Sequence, residues 1–160
     1  MTEADISLYY ENKWKPKRVL FRDQVRCIAS MYTYLLGRFQ TERTEKITIN
    51  CVEKTNDNAL VKTTLDGFTK VSVELDIDSY FLLSNYEKKR VILEKINGGV
   101  TKVANEFSWD IELFNRISYE IIKNDYVNEY VWKQKTSPDK KFKAEVYCQH
   151  DIDFFTISIL

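Results

Sequence analysis

A single histidine limits the acid–base chemistry open to this chain. His150 opens the run His150-Asp151-Ile152-Asp153, in which an imidazole oriented by a carboxylate would serve as a general base. The same run offers the start of a metal site, but there is no second histidine, and a hard cation needs several more carboxylates placed by the fold. Cys148 lies two residues before His150 and on a strand would share its face, as a thiol–imidazole pair requires. Its neighbours are apolar, however, and no third group stands ready to orient the ring. The acid pairs Glu74 with Asp76 and Asp76 with Asp78 become acid and base only if their environments differ. The chain contains no Gly-rich phosphate loop, Gly-x-Ser-x-Gly elbow, His-Glu-x-x-His helix or EF-hand loop. With only 4 glycines, a backbone cradle for phosphate is not expected either. The residues therefore predict no catalytic residue, cofactor or metal. The competing readings are a small hydrolase or transferase using His150 with Asp151 or Asp153, and a structural or regulatory module of a larger complex.

Aromatic side chains make up 14% of the residues, and they offer a different chemistry, that of anchoring a partner. Tyr126, Asn128, Tyr130 and Trp132 alternate with Val127, Glu129 and Val131, as on a strand, and Glu145, Tyr147 and Gln149 alternate likewise on a following one. If the two sets share a solvent face, Tyr126, Glu129, Tyr130, Trp132, Glu145 and Tyr147 form an aromatic and acidic partner-binding surface. In the alternative, a helix covers this face and the rings are core.

The elements that must hold these residues follow from hydrophobic period. Ile6, Leu8 and Tyr10 alternate as a first strand, and Pro16 suits the opening turn of a helix. Phe21, Val25, Ile28, Tyr32, Leu35 and Phe39 then form one apolar helical stripe. Period two returns at Ile47, Ile49 and Cys51, and again at Val71, Val73, Leu75 and Ile77. Between them lie a turn cluster at 55–58, a weak edge strand over 59–65 and a hairpin turn at Asp66-Gly67. Ser84 and Glu87 have the spacing of a capping box. Behind them Leu93, Ile96, Val100, Val103 and Phe107 keep helical phase across Gly98-Gly99. Either the helix runs through and the missing side chains admit a close neighbour, or it breaks there. Ser108 or Asp110 caps a further helix that carries Leu113, Phe114, Ile117 and Ile121 and ends near Asn124. Residues 126–135, 142–150 and 152–160 read as three antiparallel strands. The expected fold is α+β, a largely antiparallel sheet with about three helices on one face, and residues 1–160 form a single domain.

Composition narrows the partner. Basic and acidic residues both number 24, so the basic excess that nucleic-acid binding draws on is missing. A local basic cluster, Lys13, Lys15, Lys17 and Arg18, reads as a solvated helix entrance. No apolar run approaches the ~20 residues that span a bilayer, so no membrane partner is expected. Cys27, Cys51 and Cys148 are odd in number and widely spaced, which fits buried thiols in a reducing, cytoplasmic setting better than a disulfide framework.

The stretches Ser84-Asn85-Tyr86-Glu87-Lys88-Lys89-Arg90-Val91-Ile92-Leu93, Glu106-Phe107-Ser108-Trp109-Asp110 and Thr136-Ser137-Pro138-Asp139-Lys140-Lys141-Phe142-Lys143-Ala144-Glu145 resemble small cytosolic bacterial immunity proteins of secreted or contact-dependent toxin systems. The resemblance spans roughly the second half of the chain and contains no diagnostic motif. It implies a non-enzymatic protein that binds a cognate toxin domain and occludes it, and it transfers no functional residue.

Overall fold

The computed structural model describes residues 2–3, 5–10, 15–55 and 61–160. Its elements run β1 (Thr2–Glu3), β2 (Asp5–Tyr10), α1 (Lys15–Leu36), β3 (Gln40–Thr41), β4 (Lys46–Val52), β5 (Lys62–Thr63), β6 (Phe68–Glu74), α2 (Ile77–Phe81), α3 (Asn85–Phe107), α4 (Ile111–Lys123), β7 (Asn128–Thr136), β8 (Lys143–His150) and β9 (Phe155–Ile159). The class is α+β, as expected, but the strands form three sheets rather than one: β1-β3, β2-β4-β6-β5 and β7-β8-β9. Antiparallel pairing joins β1 to β3, β5 to β6, β7 to β8 and β8 to β9. In the central sheet, however, β2, β4 and β6 run parallel. For β2 and β4 the cause is α1, because a helix connecting neighbouring strands returns the chain to the same end of the sheet.

Alternation sorts the central sheet into a dry and a wet face. Ile6 and Leu8, Ile47 and Ile49, and Val71 and Val73 are buried beneath α1 and α3. Ser7, Thr48 and Ser72 occupy the other, partly exposed face. Helix α4 packs on α1 and α3 and buries Phe114, Ile117 and Ile121. Tyr32 of α1 ties these helices together, its hydroxyl donating to Asn97 Oδ1 and to Phe114 O, both at 3.4 Å.

Several local expectations hold. The capping box at Ser84 and Glu87 is complete, and the Glu87 carboxyl is held below its usual range by the Ser84 N–H and hydroxyl. Helix α3 runs unbroken through Gly98-Gly99, and Asp110 caps α4. Others change. Helix α1 ends at Leu36, with Gly37 in the left-handed region, so Phe39 lies beyond it and packs edge-on against Trp109 and Phe114. The strand expected to reach Ile77 stops at Glu74, since Asp76 accepts the Ser79 N–H and hydroxyl and so starts the short α2. Of the 55–58 turn only Thr55 is among the described residues, as are only residues 61–65 of the weak strand, where β5 covers two.

Candidate functional site

The three-stranded sheet β7-β8-β9 is attached to the body at one end and is exposed over most of its length. Its attachment is polar and specific. Asn128 is buried, and its Nδ2 donates to Cys27 O at 2.7 Å and to Ser30 Oγ at 3.1 Å on α1. Ile152 joins the main core, Lys89 pairs with Asp151 at 2.8 Å and Asn85 donates to Asp153 at 2.7 Å. Beyond these contacts both faces of the sheet meet solvent.

Register decides which side chains stand together, because directly paired residues share a face. Tyr130 pairs with Cys148 and Cys148 with Ile157, while Lys133 pairs with Val146 and Val146 with Ile159. Apart from Lys133 and Lys135 toward its far end, this face is apolar and overhangs the body, with Tyr130 42%, Ile157 59% and Ile159 79% exposed. On the opposite face Glu129 pairs with Gln149 and Val131 with Tyr147. There the Tyr147 hydroxyl donates to Glu129 Oε2 at 2.5 Å and Gln149 Nε2 donates to Glu129 Oε1 at 2.9 Å. Those bonds hold the Glu129 carboxyl below its ordinary range. The ladder slips between Val131 and Lys133, leaving Trp132 at a bulge and 68% exposed. The far end, around the 137–142 loop, carries Lys133, Lys135, Lys140, Lys141 and Lys143.

The six residues predicted as one partner-binding surface are therefore divided. Tyr126 lies outside β7 in a left-handed conformation, is 6% exposed and packs edge-on against Tyr86 at 5.5 Å. Tyr130 and Tyr147 belong to opposite faces. Glu145 is ion-paired with Lys143 and Glu129 is engaged by Tyr147 and Gln149, so the acids are spent within the sheet. No helix covers the distal face, and Tyr130 and Trp132 do reach solvent. The sequence reading missed Ile157 and Ile159, although the alternation Phe155, Ile157, Ile159 in the closing strand was the available signal.

His150 does not assemble with the acids beside it in sequence. Asp151 is turned to Lys89 and to the Ile152 N–H, and Asp153 to Asn85. Among the described residues no group of three His, Cys, Asp or Glu side chains is placed to hold a metal. The three cysteines are buried and unpaired, and burial pushes the thiols of Cys27 and Cys51 up to about 12, where no thiolate forms near neutrality.

Burial, followed by the nearby Arg26, lowers the His150 pKa from its ordinary 6.5. The unfolded chain thus takes up this proton more readily than the folded one. The associated stability is complete above the ordinary value and drains away as pH falls through it toward the folded value. Thermal melts of the parent and His150→Gln at about pH 8 and pH 5.5 should show the parent losing more melting temperature on acidification. Equal losses would mean that His150 titrates alike in both states.

No helix among the described residues is long and apolar enough to cross a membrane. Comparison with protein-family models, with characterised proteins and with solved structures finds no match for the chain.

Proposed function

We propose that this chain is a non-enzymatic binding protein that masks a protein partner, of the kind that neutralises a cognate bacterial toxin domain in the cytoplasm of the cell that makes it. The observation that carries the reading is the overhanging apolar face of β7-β8-β9. Contiguous apolar side chains seldom remain open to water unless a partner covers them. Tyr130, Ile157 and Ile159 would form the dry centre of the contact, with Trp132 beside them at the bulge. Aromatic side chains at such centres carry much of the binding energy. The lysine-rich far end favours a partner whose rim is acidic there, because complementary rim charges speed encounter more than they add affinity.

The test is binding of the purified chain to the toxic domain encoded in the adjacent reading frame, by calorimetry and by rescue of growth on co-expression. Trp132→Ala and Ile157→Glu should each weaken the complex about tenfold or more and leave the melting temperature nearly unchanged, as expected for exposed contact residues. An equal loss of stability would assign these side chains to the fold. Full affinity in both variants would overturn the proposed surface.

A further inference from the structure

The outer edge of β9 lacks the charges, proline and bulges that ordinarily keep one sheet from pairing with another. In the sheet β7-β8-β9 the two outermost strands are β7 and β9. An open edge offers a row of main-chain N–H and C=O groups to any extended strand that approaches it. The edge at β7 is guarded by Lys133 and Lys135 and by the slip in its ladder between Val131 and Lys133. By contrast β9, Phe155-Thr156-Ile157-Ser158-Ile159, carries no charge, no proline and no register shift.

Hydrogen bonding sets which groups of β9 face outward. Glu145 and Leu160 exchange both main-chain bonds at 3.0 Å. Bonded and non-bonded pairs alternate along an antiparallel ladder, so Tyr147 with Ser158 and Gln149 with Thr156 are bonded in the same way. Phe155, Ile157 and Ile159 therefore turn their N–H and C=O groups to the outer edge, where no strand pairs with them among the described residues. All three side chains are exposed.

This strand is complementary to itself. Two copies related by a two-fold axis at Ile157 set Ile157 opposite Ile157, Phe155 opposite Ile159 and Thr156 opposite Ser158. Each outward N–H and C=O then meets a counterpart. An aromatic ring against a β-branched side chain, and threonine against serine, are both favourable cross-strand pairs. Thr156 Oγ1 donates to Gln149 Oε1 at 3.4 Å and so keeps its lone pairs for the Ser158 hydroxyl of the second copy. No charge meets its own kind along the strand. Basic and acidic residues also balance at 24 each, so no net repulsion opposes approach. Because the paired strands run in opposite directions, the two bodies lie at opposite ends of the joined sheet.

We propose that β9 pairs antiparallel with β9 of a second copy of this chain, joining the two three-stranded sheets into one. The contact uses the edge of the sheet rather than its face. Tyr130, Ile157 and Ile159 stay on one side of the joined sheet, so the dimer does not rest on the partner-binding reading and leaves that surface open.

Sedimentation equilibrium of the full chain from about 1 µM to about 1 mM covers weak to moderate affinities. The mass should rise from that of one chain to that of two. Thr156→Lys combined with Ser158→Lys sets like charges opposite each other and should raise the dimer Kd about tenfold or more. Mixing that variant with Thr156→Glu combined with Ser158→Glu should restore a dimer containing one chain of each. Thr156 and Ser158 lie on the face away from Ile157, so capture of a toxic domain is read separately from self-pairing. A parent that remains a single chain at about 1 mM would overturn the proposal and leave this edge to a strand of another protein. A lysine variant that dimerises as tightly as the parent would overturn it equally.

Discussion

Phe21→Ala is expected to remove about 3–5 kcal/mol from the stability of the protein, the usual result of emptying a fully buried aromatic site. Phe21 is 0% exposed and sits where β2, α1 and α2 meet. Its ring meets Tyr80 edge-on at 5.1 Å and Tyr10 at 6.2 Å, so truncation removes favourable ring contacts as well as buried apolar surface. The Tyr80 hydroxyl is itself fixed by Gln24 Oε1 at 3.1 Å, which limits how far that ring can collapse into the space. Against a total of about 5–15 kcal/mol, the loss is large enough to lower the melting temperature by roughly 10 °C. Phe21→Leu, which retains most of the volume, should cost far less. Chemical denaturation of both variants checks the pair, and equal losses would mean that the site tolerates no substitution or closes up freely.

The adjacent glycines of α3 should respond with opposite signs. A Cβ at Gly98 meets nothing within 4 Å, so Gly98→Ala should stabilise the protein by about 0.5–1 kcal/mol through helix propensity and a less flexible unfolded chain. At Gly99 the same atom would lie 2.8 Å from both Cδ1 and Cγ1 of Ile49, a fully buried residue of the central sheet. The helix gain is then outweighed, and Gly99→Val, branched at the point of collision, should cost about 2–3 kcal/mol. Ile49→Ala would open room for the new side chain, so the double variant should lose less than the sum of the two singles. Additive losses would show that Gly99 does not set the approach of α3 to β4.

Both glycines kept helical phase in the sequence, and that phase was enough to carry α3 through them. The capping box was equally legible, because it joins residues within one turn, whereas for α4 the sequence left Ser108 and Asp110 open and the structure takes Asp110. The left-handed conformation of Tyr126 was not. Its alternation with Asn128 and Tyr130 imitates a strand, but Asp125 and Tyr126 both have positive φ and close the end of α4 instead. Short-range periodicity cannot separate a strand from the irregular residues that lead into it.

What the sequence by itself determined about this protein is the longer elements, though not the short β1, β3 and α2, together with the α+β class and the absence of a recognisable catalytic motif, since each depends on residues close together in the chain. Only the tertiary structure decided that β2, β4 and β6 run parallel, that Tyr130 turns away from Tyr147, and that the face bearing Ile157 and Ile159 lies open. A strand's alternation says which of its own residues share a face. Which face of the next strand they join depends on pairing register, and a shift of one residue reverses it. Whether that face then meets water depends on how far distant helices reach, which no local pattern records.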